Sequence, residues 1–251
     1  MNMTGNTILI TGAGSGIGLA LAEEFARLDN QVIVAARSPQ KLHAAEQRGL
    51  KAIAADVSDS AGIITLATRV TREFPKTNVI VHNAAISSRE NLVREGDSKL
   101  QEEIVATNLL GPMRLTNALM PHLLKQRSAA ILIVSSGLAF VPSAFVPTYS
   151  ATKAALHSYA QSLRFQLRDT SIEVIEIPPP YVQTELGGKS QATDPNAMPL
   201  RDFIWEVMDI LKSDPRVEEV LVKQVLPHRY AAEHGHENDA AFFKQYHTRV
   251  R

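Results

Sequence analysis

The chain has 251 residues, 45% of them hydrophobic and 21% charged, which suits one globular α/β domain. Twenty-six basic side chains balance twenty-six acidic ones, so no net field points to nucleic acid or an anionic membrane surface. There is no cysteine, which excludes disulfides, thiolate metal sites and a cysteine nucleophile and fits a cytoplasmic setting.

Short apolar runs alternate with amphipathic ones along the chain. Thr7 to Thr11 reads as a strand, far too short for a signal segment or a membrane span. Ile17 to Leu28 carries Leu19, Leu21, Phe25, Ala26 and Leu28 at helical spacing. Gln31 to Ala36 reads as a second strand, Pro39 to Arg48 as a helix ending near Gly49, and Lys51 to Asp56 as a third strand. Ser60 to Phe74 is helical, stopped by Pro75, and Val79 to His82 is a fourth strand. One long helix is expected from about Asp97 to Gln126, then a strand from Ile131 to Ser135, a helix from Ala151 to Arg168 and a strand from Ile172 to Ile177. Phe203 to Leu211 reads as a helix and Glu219 to Val225 as a further strand. Near-continuous apolar strands separated by helices predict a doubly wound, Rossmann-like parallel sheet of about seven strands, flanked by helices on both faces, in one domain over residues 1–251. Leu186 to Pro199, rich in Gly, Pro and small polar residues, reads as a mobile loop beside the substrate.

Thr11-Gly12-Ala13-Gly14-Ser15-Gly16-Ile17-Gly18 falls between the first strand and the first helix. Glycines there permit a tight turn and close backbone approach to a pyrophosphate, and the helix N-terminus offers free N–H groups. Gly12, Ser15, Gly16, Ile17 and Gly18 are therefore candidate cofactor-binding residues. A glycine string alone is weak evidence; the strand before it and the helix after it give it weight. At the end of the second strand the sequence reads Ala35-Ala36-Arg37-Ser38, without the carboxylate that commonly holds a ribose 2′-hydroxyl. A guanidinium there suits a 2′-phosphate, so NADP(H) is preferred over NAD(H).

Tyr149 and Lys153 stand four residues apart at the start of a helix, which puts both on one face. A free phenol titrates near about 10, and a neighbouring ammonium lowers that value toward useful acid–base chemistry. Ser135 and Ser136 end the fifth strand, where open α/β sheets place their ligands. Asn108 lies within the preceding long helix.

With these motifs in order over roughly residues 5 to 185, the chain resembles the single-domain short-chain dehydrogenase/reductase family. Ser136 precedes Tyr149 by the family's 13 residues. The resemblance implies a catalytic tetrad of Asn108, Ser136, Tyr149 and Lys153. In it Tyr149 exchanges a proton with the substrate oxygen, Ser136 stabilises that oxygen, Lys153 holds the nicotinamide ribose and depresses the Tyr149 pKa, and Asn108 helps hold a water leading to solvent. It implies further cofactor contacts at Asp56, Val57, Asn83, Val182 and Thr184. The family's Asn-Asn-Ala-Gly is changed to His82-Asn83-Ala84-Ala85, with His82 expected to serve local packing or hydrogen bonding, and its Pro-Gly turn becomes Pro178-Pro179-Pro180. That Pro-rich turn, with Met198-Pro199-Leu200, is similar to a bacterial subgroup of DltE-like oxidoreductases.

The family's substrate pocket would fall on Ile86, Leu138, Phe140, Val141, Phe145, Tyr181 and Leu186, a mostly apolar set that suits a hydrophobic ketone, aldehyde or secondary alcohol. Arg89 and Lys189 are read as solvated. His228, His234, His236 and His247 form no compact ligand set, so no metal is expected. Phe242, Phe243 and Tyr246 read as a packing face, and the resemblance implies a homodimer or homotetramer. The leading expectation is an NADPH-dependent carbonyl reductase or alcohol dehydrogenase. The alternatives are an NADP-using isomerase, epimerase or lyase on the same fold, and a non-catalytic nucleotide-binding protein.

Overall fold

The computed structural model describes residues 1–93, 96–234, 240–241 and 243–244. Six parallel strands form one sheet: β1 (Thr7–Thr11), β2 (Gln31–Ala36), β3 (Lys51–Ala54), β4 (Thr77–His82), β5 (Ala129–Val134) and β6 (Ile172–Ile177), in the order β3-β2-β1-β4-β5-β6. Between them run α1 (Gly16–Arg27), α2 (Pro39–Glu46), α3 (Ser60–Glu73), α4 (Ser98–Val105), α5 (Gly111–Leu123) and α6 (Pro147–Leu167), followed by α7 (Leu200–Ser213) and α8 (Leu226–Arg229). Strand order reverses between β1 and β4, so a crevice opens at their C-terminal ends.

The two-residue period of the strands divides the core into two layers. Ile8, Ile10, Ala130, Leu132 and Val134 pack with Leu21 and Phe25 of α1 and Phe203 and Val207 of α7. Leu9, Ile131 and Ile133 point the other way, onto Ile63 and Leu66 of α3, Leu115 and Leu119 of α5, and Leu156 and Leu163 of α6. Each such fully buried Ile, Leu or Phe contributes about 1.5–3 kcal/mol. Among the described residues no helix is long and apolar enough to cross a membrane.

Two expectations are corrected. The sheet has six strands, because Glu219 to Val225 supplies only a one-residue parallel bridge, Glu176 to Glu219. Val220 N donates to the Glu176 carbonyl (2.8 Å), but the next residue of β6's line that would bond the Val220 carbonyl is Pro178, which has no N–H, so the ladder stops there. The valines at 220, 222 and 225 owe their apolar pattern to the α1–α7 core layer, not to strand pairing. The single helix expected from Asp97 to Gln126 is α4 and α5 joined through a π-helical turn, Ala106–Leu110. Gly111, just after it, packs so closely on Val57 that a Cβ would lie 2.7 Å from the Val57 carbonyl. Such π turns frequently mark functional positions, and this one turns Asn108 into the protein, where it has no exposure.

The segment between Leu186 and Pro199 contains a 3-10 turn, Lys189–Thr193, and a bridge from Val182 to Met198 at its base. Gln191 Nε2 donates to the Val182 carbonyl (2.8 Å), tying the turn to the end of the sheet. The expected packing residues Phe242 and Tyr246, and the histidines 236 and 247, lie outside the described residues.

Candidate active site

The crevice is a single cavity of about 1530 Å³, running from the glycine turn to α8. That exceeds the usual 300–1,000 Å³ or so of a small-ligand pocket, and leaves room for a dinucleotide beside a substrate.

At one end the backbone does the shaping. Gly12 (φ +65°) and Gly16 (φ +58°) occupy the left-handed region that disfavours side chains. A Cβ on Gly12 would meet Ala84 Cα at 2.5 Å, and one on Gly18 would meet Asn83 Nδ2 at 2.3 Å. Asn83 holds the turn from beneath, donating to the carbonyls of Thr11 (3.0 Å) and Gly12 (3.2 Å). Its role is thus to clamp the turn as well as to line the cavity. Ser15 caps α1 in extended conformation and makes no side-chain cap bond, which leaves the helix N-terminus open toward the cavity. This is a cradle that a pyrophosphate fits.

Arg37 and Ser38 line the cavity beyond β2, and so does Lys41 of α2. Lys41 was not picked out in the sequence; its Nζ donates to Ser15 Oγ (3.0 Å), which brings a second cation over the glycine turn. No motif marks it, since its place depends on how α2 packs. Asp56 and Val57 line the same wall. Burial opposes ionisation of Asp56, but its hydrogen bonds to Ser58 and the charge of Arg37, 3.9 Å away, together lower its pKa. Val182 and Thr184 close the cavity from the opposite side, with Thr184 Cγ2 lying 3.6 Å from where a Gly16 Cβ would be.

At the other end side chains do the work. Ser136, Tyr149 and Lys153 share one wall of the cavity, and all three are largely buried. Tyr149 is hydrogen-bonded to Ser136, and Lys153 Nζ lies 5.5 Å from the centre of its ring. Lys153 Nζ donates to the Val134 carbonyl at the end of β5 (2.8 Å). Burial pushes the Tyr149 phenol up to about 12, against the lowering effect of Ser136, and draws Lys153 down to about 8, against the raising effect of Glu176. At the phenol, burial thus outweighs the Ser136 hydrogen bond.

Asn108 is adjacent but does not line the cavity. Its Oδ1 accepts from Ile86 N (2.9 Å), and its Nδ2 donates to the Ile86 carbonyl (2.9 Å) and Thr152 Oγ1 (3.3 Å). These bonds join the loop after β4 to α6. His82 likewise bonds locally, Nε2 to Thr116 Oγ1 (2.8 Å), and burial lowers its pKa to about 4, leaving it neutral.

Ile86, Leu138, Phe145, Tyr181 and Leu186 all line the cavity. Phe140 and Val141 do not: Val141 is core, and Phe140 packs edge-on against His157 (4.8 Å between centroids). Arg89 is exposed, as expected, and its guanidinium lies over the Phe145 ring at the cavity wall (4.6 Å). His228 also lines it, packed against Gly137, with burial lowering its pKa. Nothing local in the sequence marks His228, because only the return of α8 to the end of β5 brings it there.

The family model described as short chain dehydrogenase matches residues 6–195. The chain is 44% identical over 200 residues, 76% of its length and 77% of the relative's, to an uncharacterized oxidoreductase, DltE, of Bacillus subtilis. A solved 3-ketoacyl-(acyl-carrier-protein) reductase of Brucella melitensis complexed with NADH superposes with a TM-score of 0.77 at 26% identity, covering 87% of this chain and 96% of that one. A short-chain dehydrogenase from Sphingobium yanoikuyae in complex with NADPH gives 0.80 at 25% identity, covering 94% of each.

Proposed function

The chain belongs to the short-chain dehydrogenase family, and on that premise we propose that it is an NADP(H)-dependent oxidoreductase that reduces an apolar ketone or aldehyde, or oxidises the matching secondary alcohol. The observation that carries this reading is the meeting of Ser136, Tyr149 and Lys153 on one cavity wall that continues into the glycine cradle. The solved relatives hold NADH in one case and NADPH in the other, so the choice of NADP(H) rests on this chain's own residues. Arg37, Ser38 and Lys41 face the cavity where a 2′-phosphate would lie, and no carboxylate follows β2 directly.

When bound, the nicotinamide supplies or accepts the hydride. The protein supplies the rest. Tyr149, a neutral phenol at pH 7, donates its proton to the substrate oxygen during reduction. The Ser136 hydroxyl donates a hydrogen bond to the same oxygen as charge develops on it. The Lys153 ammonium steadies the phenolate left on Tyr149. Ile86, Leu138, Phe145 and Leu186 exclude water around an apolar carbonyl substrate. Cytoplasmic function and assembly into a homodimer or homotetramer belong to the same proposal; Phe165 of α6 and Trp205 of α7, both well exposed, offer apolar surface for self-association.

The test is NADPH oxidation against a panel of apolar ketones and aldehydes, with NADH in parallel and Tyr149→Phe as control. Turnover with NADPH that disappears in the variant is expected. NADPH binding without turnover anywhere in the panel would overturn the reaction class.

A further inference from the structure

Tyr149, Lys153 and His157 follow at four-residue intervals on α6, so one helix face carries all three. The first two line the cavity; His157 sits one turn farther along. Its Nδ1 lies 2.8 Å from Glu176 Oε2 on β6, a carboxylate with no exposure to solvent. The other Glu176 oxygen accepts a short hydrogen bond from Ser135 Oγ. Three consecutive residues at the end of β5 therefore hold three parts of one assembly. The Val134 carbonyl receives Lys153, the Ser135 hydroxyl holds Glu176, and the Ser136 hydroxyl holds Tyr149.

A carboxylate is ionised in such a place only where donors and positive charge answer it. The described charged and titratable groups around it can be named element by element. On α6 stand Tyr149, Lys153 and His157. Beyond β6, Glu219 lies 3.8 Å from His157 Nδ1 and is paired with Arg229 Nε of α8 (2.8 Å), and Arg229 Nη1 reaches Glu233 (2.9 Å). His228 precedes Arg229, and His82 on β4 is bonded to Thr116. The Phe140 ring covers His157, and Arg229 lies 5.2 Å above that ring. Ligand atoms of His157, Glu176 and Glu219 fall within 4.8 Å of one another, close enough for a metal ion. Arg229 and His157 already partner those carboxylates, so the cluster is better read as an ion-pair network.

We propose that Glu176 is a positioning residue for the catalytic lysine: its buried carboxylate, held by Ser135 and His157, keeps the Lys153 ammonium charged and anchors the strand end that carries Ser136. The catalytic meaning of this rests on the function proposed above; the electrostatic claim does not. Burial draws Lys153 down, and Glu176 is the group that pulls it back up. The hydrogen bond to Glu176 is the leading cause of a raised pKa at His157, as expected of a second cation on the same carboxylate.

The experiment follows the pH titration of Lys153 by NMR of isotope-labelled lysine ε-carbons in the full chain, with Lys153→Met identifying the signal. Wild-type Lys153 is expected to titrate near about 8. Glu176→Gln keeps the shape but removes the charge, and should move that titration down by about one pH unit or more. Glu176→Asp shortens the side chain but restores the charge, and should return most of the shift. A packing role would rank these two variants the other way. An unmoved Lys153 titration in Glu176→Gln overturns the proposal. If circular dichroism shows that Glu176→Gln does not fold, the reciprocal measurement decides: Lys153→Met should raise the His157 titration, and an unmoved His157 counts against the proposal. None of these readouts needs turnover, so a failed substrate panel and a failed titration are separate results.

Discussion

The two ends of the cavity are built by different means. The glycine-turn end is a matter of backbone: positive φ at Gly12 and Gly16, contact distances that leave no space for a Cβ, and an open helix N-terminus. The Tyr149 end is a matter of side chains drawn from β5, α6, β6 and α8, with ionisable groups taken out of water. Backbone shape recognises what every dinucleotide shares, whereas buried side chains set reactivity and choice of substrate. Changes at the first end should therefore alter binding, and changes at the second should alter rate and its pH dependence.

The sharpest separation comes from Tyr149→Phe, which should lower kcat by ~10²–10⁴-fold while leaving NADPH binding, read by fluorescence titration, close to wild type. Gly12→Ala should do the opposite. A left-handed residue with a Cβ costs about 1–2 kcal/mol before the clash with Ala84 is relieved, so NADPH and NADH affinities should both fall by at least roughly 5- to 30-fold. If that variant bound both cofactors normally, the backbone account of this end would fail. Arg37→Ala tests specificity within the same end. Loss of one charge-assisted contact, worth about 1.5–3 kcal/mol, should weaken NADPH by ~10–100-fold, mostly toward the lower value for so exposed a side chain, and leave NADH unchanged. Equal losses for both would remove the 2′-phosphate role. The smallest effect is in the pH profile. Lys153 is drawn down to about 8, so its charge is present below that value and is lost as pH rises through it. The reductive rate should drop about tenfold between about pH 7 and about pH 9, and Glu176→Gln should move that fall to lower pH.

Sequence reading served the two ends unequally for the same reason that separates them. Gly12, Gly16 and Gly18 stand within seven residues, between a strand and a helix, and such local spacing is legible directly. The four-residue interval of Tyr149 and Lys153 was legible too, but the environment that governs their chemistry was not. Burial by β5 comes from 19 residues before Lys153, at Val134, and the Glu176 carboxylate from 23 residues after it. Lys41 and His228 were missed because each reaches the cavity only through the packing of its helix.

By itself the sequence determined the alternation of strands and helices, the parallel doubly wound sheet, the glycine turn and the interval that puts Tyr149 and Lys153 on one helix face. All of these follow from periodicity and short spacings, which act between near neighbours in the chain. The tertiary structure alone decided that the sheet stops at six strands, that the long helix is interrupted at Asn108, and that Lys153 and Glu176 share one buried site. Those outcomes depend on which donors, acceptors and charges meet away from water, and only the folded chain brings them together.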